Sequence, residues 1–422
     1  MKLIMNWITL IFVVGLMTSV LIQLWLDLRQ IRYVRQHRDT VPDAFKDKIS
    51  LVAHQKAADY TIARARLGIV ELYFGSILLL AWTLGGGLQL LDTAWRHSPL
   101  TSPLLNGVGV LLSVLLISAV LDLPVTLYRT FVIEQRFGFN RITPGVFITD
   151  LAKQLLLLLI LGVPLVTLVL WLMLDASSLW WLYVWGVWMG FSLFLLWAWP
   201  AFIAPLFNKF IPLDNVELKQ RIENLLDRCG FKSNGVFVMD GSKRSSHGNA
   251  YFSGLGTNKR IVFFDTLLKS LDADEVEAVL AHELGHFKHK HIQKRIITMA
   301  GLSLTGLAIL ALLMRLPEFY YGLGVSTPST YMALALFMMV MPIFSFYLQP
   351  VMAWLSRKHE FEADNYAMQQ SNATTLIQAL VKLYKENAST LTPDPLYSAF
   401  HDSHPPAPVR IRHLSRKLGN NL

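Results

Sequence analysis

The sequence predicts a mainly α-helical integral membrane protein with a small α+β unit at one end of its spans. Three observations carry that class: a composition too apolar for water, seven long apolar segments, and a single long polar insertion ahead of the last two of them. Of 422 residues, 53% are hydrophobic and 16% charged, against about a quarter charged in a soluble globular chain. Such a chain needs a second apolar environment, and a bilayer supplies it. The net charge of +9 would suit nucleic acid, but no nucleic-acid fold signature accompanies it, so nucleic acid is not expected as a partner. In a membrane protein the same excess marks basic loops held on one side. The single cysteine, Cys229, cannot close an internal disulfide and reads as a small half-buried apolar group.

Seven segments are long enough, at roughly 17–25 residues each, to cross hydrocarbon as helices: 3–26, 67–91, 104–128, 155–174, 179–207, 296–314 and 331–355. The first has no basic region beyond Lys2 and no small-x-small cleavage site, so it reads as a retained span rather than a signal peptide. The loops after spans one and three hold nine and four Lys and Arg, and the segment after span five and the C-terminal tail are strongly basic. The loops after spans two, four and six hold one, zero and one. This alternation predicts an outside N-terminus, with the odd-numbered loops and the tail in the cytoplasm.

Four segments follow from these spans. Residues 1–207 form a membrane domain with five spans, 208–295 a first polar segment, 296–355 spans six and seven, and 356–422 a second polar segment with the tail. Within the first polar segment, "VELKQRIENLLDRCGF" has the apolar spacing of a helix ending near Gly230. "NGVFVMDGS" alternates like a strand, and "KRIVFFDTLL" reads as a strand running into a helix. In "LDADEVEAVLAHELGHF", Asp272 with Glu275 three residues on makes a capping box, and Val276, Val279 and Leu280 an apolar stripe. "SRKHEFEADNYAMQQS" continues as helix beyond span seven. The two polar segments are separated by two crossings, so both must converge on the cytoplasmic face to form one site.

His282, Glu283 and His286 form the pattern His-Glu-x-x-His. Positions i and i+4 share a helix face, so both imidazoles can reach one ion. Glu283 is rotated by about 100 degrees, which brings its carboxylate to the ion's open side, where it can take a proton from a polarised water. A basic helix lying on anionic lipid would account for Lys288, His289, Lys290 and His291, but not for a glutamate between two histidines at ligand spacing. A catalytic zinc needs a third protein ligand, and His289, His291, His359, Glu360, Glu362, Asp364 and His404 are available. His289 follows His286 too closely to converge with it and is left as surface or support. In "HEFEAD", Glu360 and Asp364 share a helix face while Glu362 projects nearly opposite. A ligating Glu360 would leave Asp364 one turn on, placed to accept the free N–H of a ligand histidine. A solvated acidic stripe is the alternative for these residues.

Here the chain resembles a known family. "AHELGHFKHKH" and "SRKHEFEAD", together with "YRTFVIEQRFGFN" (128–140), "FIAPLFNKFIPL" (202–213), "GSKRSSHGNAYFSG" (241–254), "KRIVFFDTLL" (259–268) and "SHPPAPVR" (403–410), are similar to signature stretches of the type I CAAX prenyl endopeptidases. These are membrane-embedded zinc metalloproteases related to bacterial heat-shock membrane proteases. The resemblance implies seven helices enclosing a water-filled chamber, with the zinc site at its cytoplasmic end. Position by position, it implies that His282, His286 and Glu360 bind one Zn2+ and that Glu283 is the general base. It places Asn249 at a strand segment that lines the substrate by backbone pairing, and His404 and Arg410 at polar positions that face the metal and steady the transition state. "FGFN" reads as loop packing at the membrane boundary.

The expected activity is thus endopeptidase cleavage of CAAX-like peptides or, in bacteria, of damaged and mis-inserted membrane proteins. The short "GNNL" tail carries no recognisable retrieval signal, so a bacterial inner membrane is expected rather than the endoplasmic reticulum, with the chain acting as a monomer. The competing function is a metal transporter or channel. It would concentrate ionisable residues inside the spans, whereas Asp122 and Glu71 are nearly the only ones and lie close to span ends.

Overall fold

The computed structural model describes residues 6–99, 102–253 and 260–419. Residues 3–5 of the first expected span and residues 420–422 of the "GNNL" tail lie outside these. Helix α1 (Trp7–Gln36) begins at an Asn6 cap, and α2 (Leu51–Trp82) at a Ser50 cap. The second span, expected to reach residue 91, stops at Trp82. Three glycines follow, and Gly86 turns the chain at a φ of 79°, a conformation open to glycine at little cost. The remainder becomes a separate short helix, α3 (Gly87–Arg96).

Helix α4 (Pro103–Tyr128) continues through a widened turn to Glu134. Helices α5 (Pro144–Leu157) and α6 (Val163–Asp175) form one span across a second such turn, as do α7 (Trp180–Ala198) and α8 (Ala204–Phe207). Pro164 and Pro200 sit at the second and third of these turns, where a missing N–H is accommodated.

The polar segment then builds α9 (Val216–Arg228), α10 (Asp265–Ser270) and α11 (Ala273–Lys288). Helices α12 (His291–Leu313), α13 (Pro317–Gly322), α14 (Thr330–Ser345) and α15 (Gln349–Gln370) follow. The chain closes with α16 (Ala373–Glu386), α17 (Pro395–His401) and α18 (Ala407–Gly419). Among the described residues, seven helical runs are long and apolar enough to cross a membrane. The seventh runs from Thr330 to Gln370, so helical structure continues past the apolar stretch and carries "HEFEAD" out of it. Many large side chains on the outer faces are exposed, among them Ile77, Ile160, Trp188, Ile297 and Leu312, a surface suited to hydrocarbon.

Four short strands form one sheet in the order β1-β2-β4-β3: β1 (Phe210–Pro212), β2 (Val236–Met239), β3 (Ala250–Ser253) and β4 (Arg260–Phe264). Strands β2 and β4 are parallel, with Val236 opposite Ile261. Strand β3 runs antiparallel to β4, with Ala250 opposite Phe263, and forms an edge. Neither β1 nor β3 carries the alternation that made β2 and β4 readable. One apolar core joins both polar segments: Ile222, Phe263 and Leu280 from the first pack with Leu376, Leu380 and Leu414 from the second, and with Phe45 from the loop after α1. A separate membrane core gathers Phe12, Leu111, Leu170, Leu310 and Leu336. Between them a cavity of ≈1030 Å3 opens, walled by α1 and α2 on one side and by the approach to β3 and the loop before α18 on the other.

Candidate active site

Helix α11 is set by its ends and its packing face. Asp272 accepts the Glu275 N–H at 3.0 Å while Glu275 accepts the Asp272 N–H at 2.9 Å, the reciprocal cap expected from the sequence. Lys382 of α16 donates to the same Glu275 at 2.6 Å, tying α11 to the second polar segment. Val276 and Leu280 are buried in the shared core. The decisive contact is the crossing with α15. A Cβ on Gly285 would lie 2.8 Å from the Ala363 Cα, so the two helices touch backbone to backbone there. That approach brings Glu360 across from the histidine pair.

The three groups close a triangle. His282 Nε2 lies 3.3 Å from His286 Nε2, Glu360 Oε1 lies 3.3 Å from His286 Nε2, and Glu360 Oε2 lies 3.5 Å from His282 Nε2. Ligand atoms about 2.0–2.1 Å from a tetrahedral centre stand roughly 3.3 Å apart. Glu360 Oε2 is buried and has no hydrogen-bond partner among the described residues, although Arg410 Nη1 approaches it at 3.6 Å. A buried carboxylate oxygen without a hydrogen bond is costly, and a cation in the triangle would satisfy it. Two imidazoles and a carboxylate suit zinc chemistry. The residues present therefore fit a metal.

Each histidine is held from behind. His282 Nδ1 lies 2.9 Å from Asp364 Oδ1, and Asp364 is fully buried. Arg410 forks onto the same carboxylate, with Nε 2.9 Å from Oδ2 and Nη2 on Oδ1. Burial pushes the His282 imidazole down, but its hydrogen bonds to Asp364 and Glu360 outweigh this and raise it to about 9. His286 Nδ1 lies 2.9 Å from His291 Nδ1, and His291 Nε2 lies 2.9 Å from Glu362 Oε2. The chain doubles back to make this second relay at Lys290, whose φ of 56° is left-handed. His359 stacks on His291 with ring centroids 4.0 Å apart.

The remaining expected residues fall in two places. Glu283 is half-buried, and no ion pair or hydrogen bond engages its carboxylate among the described residues. His404 is exposed, with Nε2 3.3 Å from Glu360 Oε1 and Nδ1 3.0 Å from Ser403 Oγ. Asn249 lines the same cavity as His404; its carbonyl accepts the Phe264 N–H at 3.0 Å and its side chain turns onto the Ala250 N–H. Arg410 is buried, with Nη1 3.6 Å from Glu360 Oε2. The rest of its guanidinium is taken up by Asp364.

Other residues shape the site without having been singled out. Asn387 clamps Gly248, accepting its N–H at 2.9 Å and donating to its carbonyl at 3.2 Å, which fixes the chain entering β3. Tyr384 donates to the Pro405 carbonyl at 3.3 Å, beside His404, and burial pushes its hydroxyl up to about 12. Arg357 donates to the Ser398, Ala399 and Asp402 carbonyls, holding the loop that leads to His404. "FGFN" packs: Phe137 and Phe139 are buried, and Phe139 stacks on His247 at 4.2 Å, two residues before Asn249.

Comparison with known proteins assigns the family. Residues 30–209 match the family model described as CAAX prenyl protease N-terminal, five membrane helices, and residues 212–418 match peptidase family M48. This chain belongs to the CAAX prenyl protease family of M48 peptidases. It is 36% identical to a CAAX prenyl protease 1 homolog of Arabidopsis thaliana over 95% of its own length and 96% of the relative's. It is 34% identical to CAAX prenyl protease 1 of Saccharomyces cerevisiae over 91% and 90%. The crystal structure of S. mikatae Ste24p matches with a TM-score of 0.89 at 32% identity, covering 97% of this chain and 99% of that one. As a member of the family the chain is a multi-pass membrane metalloendopeptidase, acting on peptide or protein substrates with a metal ion.

Proposed function

We propose that the metal is a single Zn2+ held by His282, His286 and Glu360, and that Glu283 is the general base of peptide hydrolysis. The observation that carries this is the closed triangle of ligand atoms with Glu283 next to His282 in sequence and free of other partners among the described residues. When bound, the ion supplies Lewis acidity to the scissile carbonyl and to the attacking water. Glu283 takes the proton from that water and delivers it to the departing amine. His404 donates a hydrogen bond to the oxygen on which charge develops. Asp364 fixes the His282 tautomer, with Arg410 holding Asp364 in place, and His291 with Glu362 does the same for His286.

The substrate lies extended along β3, an edge strand whose outer side offers main-chain groups, with Asn249 at its entrance. CAAX-type peptides, named for two of the relatives above, are the first candidates; damaged or mis-inserted membrane proteins are the second. The basic loops support a cytoplasmic position for the catalytic end, and the apolar core that joins both polar segments within one chain supports a monomer.

The test is hydrolysis of a fluorogenic CAAX-type peptide by the wild type and by Glu283→Gln, with bound metal quantified in both. Retained zinc and a rate lowered at least about a hundredfold are expected. Equal rates would remove Glu283 from the mechanism.

A further inference from the structure

Helix α2 separates two concave surfaces. Arg64, Gly68 and Glu71 face the large cavity, while Asp59, Ile62 and Arg66, on the opposite side of the helix, line a notch of ≈290 Å3 with Arg35, Arg38 and Arg136. The notch brings together the end of α1, the middle of α2 and the turn that follows Glu134. Four guanidinium groups thus meet one carboxylate. Arg38 is already matched: its Nε and Nη2 fork onto Asp59 at 2.7 and 2.8 Å, and its Nη1 reaches Asp39. Arg35, Arg66 and Arg136 have no carboxylate of their own in the notch, and no ion pair engages them among the described residues. All three are exposed, and only Arg136 feels the field of Asp59 as well, so the concavity carries a net positive charge that an anion would neutralise.

The position and the lining narrow the anion. Arg66 directly precedes the apolar run of α2 and Arg136 directly follows the third crossing, so the notch sits at the hydrocarbon boundary, at the end of the bundle that carries the catalytic helices. Its floor is apolar, with Ile62 and Phe137 both buried. Arginine forks match the oxygens of a phosphate group better than lysine does, and basic pockets between helices at a membrane surface receive lipid headgroups. We propose that this notch binds the phosphate group of an anionic phospholipid from the adjoining leaflet, with Arg35, Arg66 and Arg136 as the contacts and Arg38 held in place by Asp59.

The full chain in nanodiscs of phosphatidylcholine, with and without phosphatidylglycerol, tests this by native mass spectrometry and by titration with a fluorescent phosphatidylglycerol. The wild type should retain one phosphatidylglycerol. Arg35→Gln/Arg66→Gln should weaken it about tenfold or more, while Arg32→Gln, on the same helix outside the notch, should leave it unchanged. Equal affinity in wild type and double variant overturns the proposal. Inorganic phosphate that displaces the lipid at equal concentration assigns the notch to a soluble anion and overturns the lipid. Unfolding in pure phosphatidylcholine discs checks that the double variant is folded. If it is not, Arg35→Lys/Arg66→Lys decides in its place: a severalfold loss supports the forked contact, and no loss overturns it.

Discussion

Gly285 and Ala363 meet where α11 crosses α15, at a separation that leaves no room for a β-carbon on the glycine: one placed there would stand 2.8 Å from the Ala363 Cα and 3.0 Å from its carbonyl oxygen. The neighbour is backbone and cannot swing aside, so Gly285→Ala must push the helices apart. The expected cost is about 1–3 kcal/mol. Because Glu360 sits on the far side of that crossing, metal affinity should fall with stability. Thermal unfolding of the metal-loaded and chelated forms checks this, with a larger drop in the loaded form. Equal drops would show that the crossing does not set the triangle.

Asp364 joins His282 to a buried arginine. Asp364→Asn keeps the shape but leaves Arg410 facing Glu360 without its main partner. Loss of one member of a buried charged pair costs about 3–5 kcal/mol, and loss of the support behind a ligand lowers metal affinity about 10–100-fold. Competition with a calibrated chelator measures the affinity. An unchanged dissociation constant would separate Asp364 from the metal site.

Glu362 supports the other histidine through His291 and is the more solvent-exposed of the two carboxylates. Glu362→Gln should therefore act in the same direction and more weakly, about tenfold or less in metal affinity. A loss larger than that of Asp364→Asn, read in the same chelator competition, would reverse the order of the two relays.

The raised His282 group gives a pH prediction. In the metal-free chain it is protonated up to about 9, against an ordinary 6.5. Its contribution to stability is full below about 6.5 and is lost as pH rises through about 9. Unfolding of the chelated protein across that window should show falling stability, and Asp364→Asn should flatten the slope. A metal ion bound through His282 would displace the same proton, so its affinity should climb over the window and then level. Stability of the metal-free chain that climbs with pH would contradict the pairing.

The spans were legible because each is a long apolar run, and hydrocarbon tolerates little else. The exception at Trp82 shows the limit: hydropathy carries on to residue 91, whereas the helix stops before Thr83 and the chain turns at Gly86 into a new one. The histidine pair and Glu360 could be read because helical spacing sets which side chains share a face within one element. His291 and Glu362 could not, since their meeting depends on a left-handed turn at Lys290 and on the crossing of α11 with α15. The fork of Arg410 onto Asp364 was hidden for a related reason: its position in α18 fixes its neighbours on that helix but not the depth at which the helix docks. Asn387 and Tyr384 act on main-chain carbonyls and amides, contacts that leave no mark in side-chain pattern. The strands β1 and β3, three and four residues long, are too short to show a period.

The outermost place of β3 in its sheet has a consequence for selectivity. A polypeptide aligned there would be gripped by amide and carbonyl groups that all sequences share, so the grip itself discriminates poorly. Choosing what is cut then falls to admission: which chain ends can thread past α1 and α2 and arrive unfolded. On that account, widening the doorway would broaden the diet of the enzyme without altering a single atom that does chemistry.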